Sequence, residues 1–149
     1  MDPSEVRKRI VGEHEQLRAH LEILEESAKV VREYGAAVRK LTEKSQELLK
    51  DLRGHIDLED AILVPAIREA DAWGESRAQE LTDHHAKQRE QLTSAIDDVA
   101  AGRMAPPELA AQMLDLVAYL RRDMEHEEET YLKEDLLRDD VITIDNEAG

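Results

Sequence analysis

The stretch GHIDLED at Gly54–Asp60 sets His55 and Glu59 four positions apart, and RRDMEHEEE at Arg121–Glu129 sets Asp123 and Glu127 at the same spacing. On a helix, residues four apart stack on one face, so each pair can grip a single ion from one side. A lone histidine precedes each pair, His14 before the first and His85 before the second. The chain therefore carries two copies of one pattern, and three imidazoles with three carboxylates suit a two-metal site enclosed by four helices.

The surrounding residues supply those helices. Apolar positions recur at steps of three and four in Ile10, His14, Leu17, Leu21, Leu24, Ala28, Val31 and again in Leu41, Ser45, Leu48, Leu52, His55, Glu59, Ile62, Ala66. A third stripe reads Leu81, His85, Gln88, Leu92, Ala95, Val99, and a fourth reads Leu109, Met113, Leu116, Leu120, Asp123, Glu127. These are the inward faces of an all-α, up-down-up-down four-helix bundle. The polar donors stand in register inside them, where burial costs several kcal/mol unless each finds a partner.

Punctuation divides the chain at the same places. Asp2, Pro3 and Glu5 open a helix, Gly35 stops it, and Asp71–Gly74 and Gly102–Pro107 are breaks. Pro65 should bend or end the second helix near its last turns. In an antiparallel hairpin, residues at one height lie equally far from the turn. His14 and His55 centre on Tyr34 and Gly35, Glu59 and His85 on Ala72, and His85 and Asp123 on Met104, each inside a break. Short connections would thus bring all six side chains to one level. The bundle is expected over 1–138. The tail 139–149 is acidic, loses helical period, and is expected to be frayed or loosely docked, with Val141, Ile142 and Ile144 as a strand-like alternative.

Composition narrows the function classes. The chain has 149 residues, 41% apolar but only 3% aromatic, so the core must be aliphatic. A formal charge of -15 argues against nucleic acid or an anionic membrane as partner. The absence of cysteine removes disulfides, thiolate ligands and Cys nucleophiles. No apolar run reaches the roughly 18 residues of a membrane span, and MDPSEVRKR lacks a signal-peptide core, so a cytoplasmic location is the expectation.

On helix three, His85 keeps the stripe, and His84 flanks it as an exposed residue or a donor behind the site. Aligning His85 with His14 superposes Arg89 on Arg18 and Leu92 on Leu21. On helix four, His126 is an alternative ligand through an Asp-x-x-His reading. Asp60 and Glu128, each directly after a site Glu, either reach the ion or face water. His20 reads as surface, and Tyr119 as a bundle-edge residue near the site. Hard-to-borderline donors without sulfur favour iron, with manganese possible. Two ions roughly 3.5 to 4 Å apart would share Glu59 and Glu127, with an oxo or hydroxo bridge between them.

At these residues the chain resembles the hemerythrin-like family, the His-His-Glu cation-binding bundles. The resemblance runs from about residue 5 to 135, through His14, HIDLEDAILVP, His85 and MEHEEETYL. It implies a non-haem di-iron centre that binds dioxygen or nitric oxide, or that senses iron or redox state. Oxygen-carrying members have a second helix-three histidine where this chain has Gln88 and Arg89, and a helix-four histidine where it has Asp123. A ferritin-like oxidase or peroxide scavenger is the rival from the enzyme class, and a metal-free interaction bundle is the third reading.

Overall fold

The computed structural model describes residues 1–139 and contains, in order, α1 (Pro3–Tyr34), α2 (Val38–Leu58), a π-helical turn (Glu59–Leu63), α3 (Val64–Ala70), α4 (Gly74–Ala101) and α5 (Pro106–Thr130). The π-turn joins α2 to α3 without a break, so the chain makes four antiparallel rods in up-down-up-down order. The described residues contain no strand.

Each rod begins and ends for local reasons. Glu5 accepts the backbone N–H of Asp2 at 2.8 Å, and Pro3 starts α1 where a missing N–H costs nothing. Gly35 ends α1 in the left-handed region at φ 61°, its N–H closing on the Val31 carbonyl at 2.9 Å. Gly102 does the same for α4 at φ 64°. Gly74 is required by close approach instead, since a Cβ there would run into the carbonyl oxygens of Ile67 and Arg68 at the end of α3.

Pro65 neither ends the second rod nor leaves it regular. The widened turn has Val64 N–H bonding back five residues to the Glu59 carbonyl, and Pro65 then sits in the first turn of α3, where no N–H is needed. The extra residue shifts the stripe by one. Leu63, Val64 and Ile67 are buried where a regular helix would place Ile62 and Ala66, which are half-buried. Helix four is displaced in a similar way. Its inward line is Met113, Val117, Leu120, Met124, Glu127, with Leu116 and Asp123 half-buried beside it. Both lines obey the three-four rule, so only packing distinguishes them.

Two aliphatic clusters fill the interior. One, built on Leu21, Leu24, Leu48, Ile56 and Met113, occupies the length toward the Gly35 turn. The other, built on Ile10, Leu63, Ile67, Leu81, Tyr131 and Leu137, closes the opposite end. Fully burying one such side chain contributes about 1.5–3 kcal/mol, so these clusters carry the fold. Between them lies a buried polar layer of His14, His55, Glu59, His85, Gln88 and Glu127. The rods pack unevenly: α1 lies along α5 and α2, and α4 lies along α3 and α2.

After α5 the chain turns back so that Asp139 accepts the Ser4 N–H at 3.0 Å and the Ser4 hydroxyl at 2.7 Å, covering the start of α1. The strand-like alternative at Val141, Ile142 and Ile144 lies outside the described residues. No helix among the described residues is long and apolar enough to cross a membrane.

Candidate metal centre

The polar layer converges on one point. Ligand-type atoms of His14, His55, Glu59 and Glu127, one from each, all lie within 4.8 Å of one another. His14 Nε2 stands 3.2 Å from Glu127 Oε1 and 3.9 Å from Glu59 Oε2, while His55 Nε2 and His85 Nε2 both stand 3.3 Å from Glu59 Oε1. A cavity of about 10 Å³ lies among the first four, walled by Leu17, Leu21, Leu52, Ile56, Leu120 and Met124. That is the scale of one water-sized occupant.

These atoms lack proper hydrogen bonds. His14 Nε2, His85 Nε2, Glu59 Oε2 and Glu127 Oε1 are buried with no hydrogen-bond partner. Each such atom costs about 1–3 kcal/mol, and three of them, on His14, Glu59 and Glu127, fall in the one convergent group, which is costly unless something there accepts their lone pairs. A cation does so for all three at once, with His85 beside them. Neutral imidazoles with carboxylates and no sulfur form a donor set that iron or manganese suits.

The ionisation of the layer is consistent with that role. Burial pushes the Glu127 carboxyl well above the usual carboxylate range, helped by its hydrogen bond to Glu59 and by the charges of Glu59, Asp123 and Glu128. Burial acts the same way on Glu59, but its close contacts with Glu127, His55 and His85 outweigh burial and lower that carboxyl, keeping it ionised. The two therefore share a proton that a cation would displace. Burial pulls His14 down and so keeps it neutral, the form that ligates. Burial also acts downward on His85, but the close Glu59 carboxylate and the hydrogen bond to Asp60 prevail and raise it.

Two matching relays stand behind the histidines. His14 Nδ1 meets Glu128 Oε2 at 2.9 Å, and Arg18 donates to Glu128 Oε1 at 2.8 Å. His85 Nδ1 meets Asp60 Oδ1 at 2.6 Å, and Arg89 reaches Asp60 Oδ2 at 2.6 Å and Asp57 at 2.8 Å. In both relays the carboxylate directly follows a site Glu, and the Arg lies one helical turn after the histidine. Neighbouring residues on a helix point about 100° apart, so one aims at the centre while the next reaches a histidine on the adjoining rod.

The remaining members of the sequence pattern fall differently. Asp123, just beside the inward line of α5, borders the cavity but turns its oxygens outward: Oδ1 meets His84 Nε2 at 2.8 Å, and Oδ2 accepts from Gln88 Nε2 at 2.9 Å. His84 is 40% exposed at its side chain and serves as the partner of Asp123. Gln88 also donates to the Tyr119 hydroxyl at 3.4 Å. His126 is exposed on the outer face of α5, away from the cluster, so the Asp-x-x-His alternative lacks its histidine.

The sequence profile of the hemerythrin HHE cation-binding domain matches residues 6–134. The chain belongs to the hemerythrin HHE family. Neither the curated proteins nor the solved structures gave a match to it.

Within this hemerythrin-like bundle, sequence reasoning set aside Asp60 and Glu128 as ion-reaching or solvent-facing, and both instead hold a histidine Nδ1. A signal was available, because superposing the halves aligned Arg18 with Arg89, and two arginines one turn after two buried histidines need an anion between them. The π-turn that carries Glu59 and Asp60 had no comparable signal beyond Pro65. Such turns concentrate at functional sites.

Proposed function

We propose that this hemerythrin-family protein is a non-haem di-iron protein that binds or senses a small diatomic ligand, dioxygen or nitric oxide, or iron and redox state. Its ligands are His14, His55, Glu59, His85 and Glu127, with Asp123 as a sixth that would join by exchanging its contacts to His84 and Gln88 for the ion. The observation that carries the proposal is the set of buried imidazole nitrogens and carboxylate oxygens without hydrogen-bond partners, converging between two aliphatic clusters.

The chain's own part is to hold and insulate. His14 from α1, His55 from α2, His85 from α4 and the carboxylates of Glu59 and Glu127 would hold the metal. The relays through Glu128 and Asp60 fix the tautomer of two imidazoles with Nε2 aimed inward. Leucine, isoleucine and methionine side chains form the apolar half of the cavity wall, which favours an uncharged diatomic over an ionic substrate. Iron, when bound, supplies the reducible centre at which such a ligand attaches.

A second reading, a ferritin-like oxidase or peroxide scavenger, draws on Asp123 at the cavity edge, which makes the donor set richer in carboxylates. Anaerobic ferrous titration of the metal-free protein, with spectra taken after admitting air, tests the main proposal. Saturation near two irons per chain with near-ultraviolet charge-transfer bands supports it, and saturation at one or none refutes the di-iron assignment. Sustained consumption of ferrous iron or peroxide would favour the enzyme.

A further inference from the structure

The three clustered histidines are not held alike. His14 and His85 have their Nδ1 atoms bound to Glu128 and Asp60, each backed by an arginine. His55 is also buried, with 6% of its side chain exposed against 1% and 0% for the other two, yet its Nδ1 is buried with no partner. One ring contact, to His14 at 5.1 Å between centroids, and the Glu59 oxygen at 3.3 Å are its polar surroundings in the site. It is the ligand with the least to hold its ring in place.

His55 is also a partition. Together with Leu17 it lines the central cavity on one side and, on the other, a surface groove of about 470 Å³ between α1 and α2. That groove is bordered by Glu13, Gln16, His20, Lys50, Asp51 and Gly54. His20 Nδ1 and Asp51 Oδ2 face each other across it at 2.9 Å, both about half exposed. At Gly54 a Cβ would meet nothing within 4 Å, so the wall there is left open beside the histidine.

We infer that a divalent cation reaches the centre through the α1/α2 groove, docking first at His20 and Asp51 and passing His55, whose untethered imidazole swings as the door. The inference rests on the metal reading above and adds a route and an outer docking site to it. The chemistry is ordinary for a hard-to-borderline cation: an exposed imidazole and carboxylate collect it from water, and a buried imidazole with a nitrogen lacking a hydrogen-bond partner takes it over. The two tethered histidines stay in place as the receiving frame.

The test is the rate of cobalt(II) loading, followed by its visible absorption in stopped flow, and of release into excess chelator. Gly54→Leu fills the groove beside His55. Gly12→Leu, at a half-buried position where an added Cβ likewise meets nothing within 4 Å and which borders a different groove on α1, is the control. Because an obstacle on the path raises the barrier equally in both directions, Gly54→Leu should slow loading and release alike by about tenfold with Kd unchanged, and Gly12→Leu should change neither. The double change His20→Ala with Asp51→Asn should slow loading several-fold. Should Gly54→Leu disturb the helix, Gln16→Trp closes the same groove from α1. Unchanged rates in both plugged variants would overturn the route, as would equal slowing by Gly12→Leu or a Kd that weakens in step with the rates. Wild-type protein that takes up no cobalt or iron would instead overturn the metal reading itself, and the route with it.

Discussion

Glu128 touches no other member of the cluster except through His14, which makes it the sharpest probe of how the centre is held. Replacing it with alanine removes the 2.9 Å contact to His14 Nδ1 and leaves Arg18 without the acceptor it now meets at 2.8 Å. Carboxylates that orient a ligating histidine typically account for about 10- to 100-fold in metal affinity, or about 1.4–2.8 kcal/mol. Glu128 is 28% exposed at its side chain, so water replaces part of what is lost and about 10- to 30-fold is expected. Arg18 is 40% exposed and acts only through Glu128, so Arg18→Ala should cost under about fivefold, in line with a surface ion pair. Glu125→Ala removes the same charge one turn-face away at an exposed position and should cost less than about twofold at physiological salt. Isothermal titration with ferrous or cobalt ion, on protein checked for folding by circular dichroism, reads all three. If Glu128→Ala binds as tightly as wild type, or if Glu125→Ala weakens binding equally, the relay does not position His14 and the acidic residues act only through net charge.

Other expectations follow from the same geometry. Glu127 has its carboxyl raised by burial and by Glu59, so the folded state holds a proton that the unfolded chain has lost above the ordinary carboxylate range; this contribution to metal-free stability falls as pH rises through the folded pKa. His85, also raised, contributes stability that is lost as pH rises through its folded pKa, so it acts in the same direction. Glu127→Gln should therefore be more stable than wild type in metal-free thermal melts at pH 8 than at pH 5, while binding metal more weakly, and a variant less stable at pH 8 would sink the shared-proton picture. Metal loading near neutral pH should release protons, measurable with an indicator dye in weak buffer; no release would mean that Glu127 is already ionised. Gly74→Ala should destabilise by about 1–3 kcal/mol in urea, because its Cβ has no room against the Ile67 and Arg68 carbonyls, whereas Gly54→Ala should be neutral or slightly stabilising. Ile67→Ala should cost about 2–5 kcal/mol and Ile62→Ala clearly less, and the reverse order would show that the stripe runs through the π-turn without a shift.

The sequence by itself determined the four rods, their turns and the level at which the donors meet. Helical period, Gly35, Gly102 and the two proline starts act locally, and in an antiparallel bundle distance from the turn fixes height, so His14, His55, Glu59, His85 and Asp123 could be placed on one level by counting, with Glu127 one turn beyond Asp123. The tertiary structure alone decided what depends on rotation about the helix axis and on neighbours far along the chain. Leu116 and Val117, or Asp123 and Met124, satisfy the same three-four rule, and only packing turned Met124 inward and gave Asp123 to His84 and Gln88. The one-residue shift after Glu59 arises from a widened turn that apolar spacing does not encode, and it put Leu63 and Ile67 in the core in place of Ile62 and Ala66. The relays from Arg18 to His14 and from Arg89 to His85 join residues whose carboxylates come from other rods, so their meeting is a property of the assembled bundle.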